Sequence, residues 1–154
     1  MYSDIDEYYM NEALKCAKKA YSLGEAPIGA VIVRDGVIIA RGYNRREIDK
    51  NALKHAEITA IDRACKKLGG WRLPRCTIYV TLEPCPMCAG AIINSRIEKV
   101  VFGAFDKKAG SVESVVQMFD LPYNHKPTVK SGVLEKECSN ILTSFFAKLR
   151  KSHK

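Results

Sequence analysis

The chain has 154 residues, a formal net charge of +8 and 47% hydrophobic residues. This length suits one globular domain with a complete core. With 27% charged residues, 10 Gly and 6 Pro, the composition excludes collagen-like and low-complexity disordered chains. The positive charge fits a solvated lysine-rich surface or attraction to a polyanion, and composition alone favours the former.

The first ten residues carry acids where a secretion signal or transit peptide needs bases and an apolar stretch. No apolar run approaches the roughly 18 residues of a membrane span. We therefore expect a cytoplasmic protein with no membrane partner. The six cysteines are then expected to be thiols or metal ligands rather than a disulfide framework.

Hydrophobic periodicity predicts the elements of the N-terminal third. Apolar residues at steps of three and four predict a first helix over residues 5–21. Apolar runs at residues 28–33 and 37–40 flank the turn signal Asp35-Gly36, which predicts a β-hairpin.

The middle of the chain alternates between helical and β-rich segments. A second helix is predicted to start near Ala56 and to end at Gly69-Gly70. Residues 77–82 and 99–104 are β-rich, and residues 87–94 are helical in character. A strand, helix and strand in so few residues predict a parallel βαβ unit.

The C-terminal third is predicted to contain a weak fifth strand over residues 129–133 and a last helix from residue 137 to about residue 149. The chain has no internal repeat, linker or low-complexity tract. We therefore expect a single α/β domain over residues 1–154.

Two short segments carry chemistry: His55-Ala56-Glu57 opens the second helix, and Pro84-Cys85-Pro86-Met87-Cys88 opens the third. A Cys-x-x-Cys at a helix start places two sulfurs on one face, with β-carbons roughly 5 to 6 Å apart, which suits two vertices of a zinc tetrahedron. His55 can supply a third vertex. The helix N-terminus favours the thiolate form of both cysteines.

The number of ligands separates a structural metal from a catalytic one. No nearby fourth ligand completes the set: Cys76 precedes a strand, Cys65 lies on an apolar stripe, and His125 follows much later in a loop. Three protein ligands leave one position for water, as in hydrolytic zinc sites, and zinc lowers the pKa of that water to about 7. Glu57 can then deliver protons to a ring nitrogen and to a leaving amine.

A Cys-x-x-Cys alone equally fits a structural zinc knuckle or a redox pair. Combined with the upstream His-x-Glu and the preceding proline, it matches the signature of zinc nucleobase deaminases.

The chain also resembles the bacterial tRNA adenosine deaminases over nearly its whole length. The resemblance rests on the two segments above and on Ala26-Pro27-Ile28-Gly29-Ala30-Val31, Asn44, Trp71-Arg72-Leu73, Thr81-Leu82-Glu83, Ala89-Gly90-Ala91, Val101-Phe102-Gly103-Ala104, Asn124-His125, Gly132-Val133-Leu134 and Phe145-Phe146. It implies a three-layer α/β/α cytidine deaminase-like fold with a central mixed five-stranded sheet, a homodimer and one zinc ion per subunit. The implied reaction is hydrolytic deamination of the wobble adenosine of a tRNA anticodon to inosine, with tRNA-arginine as the expected partner.

The resemblance assigns zinc ligation to His55, Cys85 and Cys88. It assigns proton transfer to Glu57 while a zinc-activated water attacks C6 and ammonia leaves. Asn44 would read the purine, since an amide matches the donor and acceptor edges of adenine. Read alone, Asn44 is a turn residue.

The remaining substrate contacts are also implied by the resemblance. Asp106 would meet the RNA backbone at a 2′-hydroxyl, and Phe146 would stack on an extruded base while Phe145 packs in the core. The other residues implied to contact substrate are Ala56, Lys108, Asn124 and His125. The basic residues 148–154 are a candidate phosphate contact.

Two alternatives remain open from the residues themselves. One is a deaminase of a free base or nucleoside such as guanine, cytidine or adenosine, for which a net charge of +8 serves no purpose. The other is a structural-zinc RNA-binding module, which requires a fourth protein ligand.

Overall fold

The computed structural model describes residues 4–152, which form four α-helices, one short 3-10 helix and five β-strands. The helices are α1 (Asp4–Ser22), α2 (Ala56–Leu68), α3 (Pro86–Asn94) and α4 (Glu135–Ser152), with a short 3-10 helix at Met118–Asp120. The strands are β1 (Gly29–Arg34), β2 (Val37–Tyr43), β3 (Cys76–Leu82), β4 (Lys99–Ala104) and β5 (Thr128–Ser131). Every helix and strand expected from the sequence is present, and the 3-10 helix was not expected.

The five strands form one mixed sheet in the order β2-β1-β3-β4-β5. Strand β1 is antiparallel to both β2 and β3, whereas β3, β4 and β5 run parallel to one another. This confirms the mixed five-stranded sheet and the parallel βαβ unit. Because Leu82 pairs with Ala104, the loops that follow β3 and β4 leave the sheet at the same edge.

Helices cover both faces of the sheet. Ile32, Ile78 and Phe102 point to one side, where they pack with residues of α2 and α3. Their neighbours Val31 and Val101 point to the other side and pack with α1 and α4. This alternation is the two-residue period of a β-strand, and burial on both faces explains why the central strands read as continuous apolar runs.

The three-layer α/β/α architecture is therefore confirmed. Phe145, expected in the core, is buried and packs edge-on against Tyr21. Within residues 4–152, no helix combines the length and apolarity that a membrane span requires.

Helix α2 approaches β2 closely at Gly42. A β-carbon at this position would collide with the carbonyl oxygen of Ala56 and would lie 2.8 Å from the amide nitrogen of Ala60. Ala56 is the first residue of α2, next to His55 and Glu57. The absence of a side chain at Gly42 thus allows the backbone at the start of α2 to pack directly against β2.

We expect Gly42→Ala to lower the free energy of unfolding by about 1–3 kcal/mol, since the added methyl group overpacks a rigid backbone contact. Gly70→Ala is the matched control, because a β-carbon there has no atom within 4 Å. The control should change stability by less than about 0.5 kcal/mol. Urea unfolding followed by circular dichroism measures both, and equal stability of the two variants would contradict the packing argument.

Candidate active site

The two chemistry-bearing segments meet at the N-termini of α2 and α3. His55 precedes the first residue of α2 and Cys85 precedes the first residue of α3, both with extended backbone. Pro86 occupies the first turn of α3, where its missing N–H costs no hydrogen bond. Both helices pack on the same sheet face, so two N-terminal ends with free N–H groups and partial positive charge lie side by side.

Three side chains at this junction have the spacing of a metal site. The Nδ1 atom of His55 lies 3.6 Å from the sulfur of Cys85 and 3.6 Å from that of Cys88. A tetrahedral zinc ion, with bonds of about 2.3 Å to sulfur and about 2.0–2.1 Å to nitrogen, separates these atoms by about 3.6 Å. Among the described residues, no fourth His, Cys, Asp or Glu belongs to the group. The donor set therefore fits a divalent metal with three protein ligands.

The protonation of the two thiols also suits a metal. Hydrogen bonds from Cys88 and His55 lower the pKa of Cys85 to about 4, although burial opposes the shift. The hydrogen bond to Cys85, together with burial, raises the pKa of Cys88. The lowered pKa of Cys85 favours its thiolate, which is the form that ligates a metal.

Glu57 lies in the first turn of α2, two residues after His55, and is 4% exposed. Burial raises the pKa of its carboxyl group to about 7. A carboxyl group with a pKa in this range can both give and accept a proton near neutral pH. The role of proton carrier expected from the sequence stays a prediction at this point.

A cavity of about 250 Å³ opens beside these residues. It is lined by Ala26, Ile28, Asn44, Arg46, His55, Ala56, Glu57, Leu82, Glu83, Cys85, Asp106, Ala109 and Phe146. Four of the residues expected to contact substrate, namely Asn44, Ala56, Asp106 and Phe146, therefore line the same cavity as Glu57.

Local hydrogen bonds orient two of the polar lining residues. The Asn44 side chain accepts a hydrogen bond from the amide of Arg46 at 3.3 Å and donates one to the carbonyl of Ala26 at 3.4 Å. The Asp106 carboxylate accepts hydrogen bonds from the amides of Lys108 and Ala109 at 3.0 and 3.2 Å. Both side chains keep unused hydrogen-bonding capacity, since an amide has two donor hydrogens and a carboxylate has about four lone pairs.

Three expected substrate contacts do not line this cavity. Lys108 is exposed in the loop after Asp106, and Asn124 is exposed elsewhere. His125 lies beside Asn124 and donates a hydrogen bond to the carbonyl oxygen of Ile97 at 2.7 Å. Ile97 lies just before the N-terminal end of β4, whereas the cavity lies beyond its C-terminal end. Asn124 and His125 are therefore separated from the cavity by the length of β4, about 16 Å.

The sequence analysis assigned no role to Arg46, Glu25 or Glu83, although Glu83 is among the residues that carry the resemblance. Arg46 and Glu83 line the cavity, and Glu25 and Glu83 are fully or almost fully buried. The only shared pattern in the sequence is a proline close behind each glutamate: Pro27 follows Glu25 by two residues, and Pro84 directly follows Glu83. Nothing in that pattern reveals their burial.

Comparison with known proteins agrees with this geometry. The profile of the MafB19-like deaminase family matches residues 4–150. A tRNA-specific adenosine deaminase of Bacillus subtilis (strain 168) is 56% identical over 150 residues, which cover 97% of this chain and 93% of that protein. The chain belongs to the tRNA-specific adenosine deaminase family.

Two solved structures extend the comparison. A structure from a study of A-to-I editing by tRNA:A34 deaminases at the wobble position of transfer RNA has a TM-score of 0.85 and 48% identity, covering 88% of this chain and 99% of that chain. A guanine deaminase from Bacillus subtilis has a TM-score of 0.64 and 38% identity, covering 79% of this chain and 77% of that one. The fold and the family expected from the sequence are confirmed.

We expect Cys88→Ser to abolish stoichiometric binding of a divalent metal, since a serine hydroxyl does not ionise near neutral pH as a ligating thiol does. Cys65→Ser is the control, because Cys65 lies on α2 outside the His55 group. Elemental analysis of the purified proteins measures the metal. Full metal content in the Cys88 variant would contradict the assigned ligand set.

Proposed function

We propose that this protein deaminates the wobble adenosine of a tRNA anticodon to inosine and releases ammonia. The observation that carries the proposal is the convergence of a His-Cys-Cys metal group and a buried glutamate on one cavity, in a chain 56% identical to a tRNA-specific adenosine deaminase. The proposal treats residues 1–154 as one deaminase domain. It also places the protein in the cytoplasm, with the anticodon arm of tRNA-arginine as its substrate.

We also propose one zinc ion per subunit, held by His55, Cys85 and Cys88. Imidazole and thiolate donors favour zinc over magnesium or calcium, which prefer oxygen ligands. When bound, zinc supplies a water molecule whose pKa lies near 7, and hence a nucleophile at neutral pH.

Glu57 moves the protons that the reaction requires. Hydrolysis of the amine at C6 of adenine needs one proton at ring nitrogen N1 and another on the departing amine. Glu57 takes one proton from the attacking water and gives it to N1. Its carboxylate then takes the second proton from the same oxygen, now bonded to C6, and passes it to the amine, which leaves as ammonia. The Glu57 pKa of about 7 keeps both forms of the carboxyl group accessible.

Asn44, Asp106 and Phe146 bind the target nucleotide in this proposal. The free donor and acceptor of the Asn44 amide face the purine, which must leave the base stack to enter the cavity. Asp106 accepts a hydrogen bond from a ribose 2′-hydroxyl, the group that distinguishes RNA from DNA. Phe146 is 43% exposed at the rim and offers an aromatic face to an extruded base.

Basic side chains around the cavity favour RNA over a free base. Arg46 lines the cavity, and Lys107 and Lys108 are exposed in the loop that carries Asp106. Together with the net charge of +8, they suit contacts with phosphates. Of the basic tail over residues 148–154, the last two residues lie outside the described residues.

We expect the wild-type protein to form inosine in the tRNA-arginine anticodon arm and to convert free adenosine, cytidine and guanine at least about a hundredfold more slowly, because binding energy from the rest of the RNA is lost. Glu57→Gln should lower kcat on the arm by about 10²- to 10⁴-fold through loss of proton transfer. Chromatography of nucleosides after digestion measures inosine.

Metal content of the Glu57 variant is the control and should equal that of the wild type. Equal turnover of a free base and the arm would favour the free-base alternative. Unchanged inosine formation by the Glu57 variant would remove Glu57 from the mechanism.

We also propose a homodimer in which Asn124 and His125 of one subunit contact RNA held by the other. These two residues lie at the opposite end of the parallel strands from their own cavity, and a second subunit packed at that end would bring them to an RNA held in its cavity. Exposed apolar side chains at Val115, Val116 and Leu121, next to the 3-10 helix, are candidates for the contact between subunits.

Sedimentation should give twice the 17.2 kDa mass of one chain. Asn124→Ala should lower activity at subsaturating RNA. When this variant is mixed in equal amounts with Glu57→Gln and the subunits exchange, half of the dimers are mixed. Each mixed dimer has one site with both Glu57 and Asn124, so about one quarter of all sites should be active. A monomeric mass, or no recovery on mixing, would contradict the shared site.

A further inference from the structure

Two buried glutamates flank the cavity and take no part in the proposed chemistry. Glu25 is fully buried and Glu83 is 2% exposed. A glutamate is almost never buried to this extent unless its charge has partners. In both cases, the main partners are backbone amides of a loop that forms a wall of the cavity.

Glu25 holds the loop between β2 and α2. One of its carboxylate oxygens accepts a hydrogen bond from the amide of Glu47 at 3.1 Å, and the other accepts one from the amide of Ile48 at 2.6 Å. The neighbouring residue Arg46 lines the cavity, and its own amide binds the side-chain oxygen of Asn44. Glu25 is therefore connected to both polar residues of this wall through the loop backbone.

Glu83 holds the loop that follows β4. Its two oxygens accept hydrogen bonds from the amide of Asp106 at 3.0 Å and from the amides of Val112, Glu113 and Ser114 at 3.2, 2.8 and 2.9 Å, and from the Ser114 hydroxyl. The loop also packs tightly on this carboxylate, because a β-carbon at Gly110 would collide with it. Asp106 and Ala109, which lie within the loop, line the cavity.

The donors around Glu83 use its whole hydrogen-bonding capacity. A carboxylate offers about four lone-pair positions, and five donors already point at them. It therefore has no free acceptor for a substrate, and any effect on the reaction passes through the loop. Hydrogen bonds from N–H groups to a buried carboxylate are stronger than those between neutral groups, which suits a rigid support.

We infer that Glu25 and Glu83 are positioning residues that hold the two RNA-facing walls of the cavity in their binding geometry before RNA arrives. A loop ordered in advance does not lose its conformational freedom on binding, so the RNA binds more tightly. The link to RNA rests on the proposed function, whereas the ordering of the loops does not.

The test uses the isosteric variants Glu25→Gln and Glu83→Gln, in which an NH₂ group replaces one acceptor and faces the backbone donors. Glu12→Gln is the matched control, because Glu12 is also buried but pairs with Lys15 and Arg41 side chains and does not line the cavity. Ser114→Ala is a milder second variant, since it removes one donor to Glu83 and leaves the carboxylate in place.

Amide hydrogen exchange in the RNA-free protein is the first readout. Glu25→Gln should speed exchange in residues 45–49 alone, and Glu83→Gln should speed it in residues 106–114 alone. Steady-state kinetics on the anticodon arm is the second readout. Each variant should raise KM at least about tenfold and change kcat by less than about threefold, because the lost interaction supports binding rather than the reacting atoms.

Ser114→Ala should show a smaller rise in both readouts, and it decides the question for Glu83 if Glu83→Gln does not fold. Wild-type exchange in the two loops, or an equal KM increase in Glu12→Gln, would overturn the inference. A fall in kcat at unchanged KM would also overturn it. If the wild-type protein leaves the arm unreacted, the proposed function fails, and the exchange data still decide whether the glutamates order the loops.

Discussion

The meeting of two helix N-termini at one sheet edge is the constraint on which the site depends. His55 lies at the start of α2, and the two cysteines lie at the start of α3. The His55 Nδ1 atom lies 3.6 Å from each sulfur because both helices pack closely against the same face of the sheet. Gly42 allows this close packing for α2, and the parallel pairing of β3 with β4 directs the crossover helix α3 across the sheet. The metal group is therefore a product of backbone packing as much as of ligand type.

Buried glutamates in and around the cavity show how surroundings set the behaviour of one residue type. Burial raises the pKa of Glu57 to about 7, which suits proton transfer. Burial also acts on Glu83, but hydrogen bonds from Ser114, Glu113 and Asp106 outweigh it and lower the pKa of that carboxyl group. Hydrogen-bond donors aimed at the buried carboxylate of Glu83 thus offset the effect of burial on its pKa.

The sheet does not by itself decide which substrate a protein of this fold accepts. A guanine deaminase has the same fold at a TM-score of 0.64, so the architecture does not by itself select a nucleobase or an RNA. In the proposed function, side chains on the two loops that form walls of the cavity, residues 44–48 and 105–114, select the substrate. Their order depends on Glu25 and Glu83, which lie outside the metal group.

Local sequence patterns were sufficient to predict the helices, the strands and the metal group. Periodicity and turn residues act over a few positions, and the spacing of Cys85 and Cys88 at a helix start determines that their sulfurs share a face. The partners of Glu25 and Glu83 were beyond such patterns, because they lie 22 to 31 residues away along the chain. The same holds for Asn124 and His125, whose position opposite the cavity follows from how β5 pairs with β4. The sequence by itself determined the elements and the chemistry of the metal ligands, and only the tertiary structure decided which distant loops form the walls, since their contacts depend on the packing of the whole sheet.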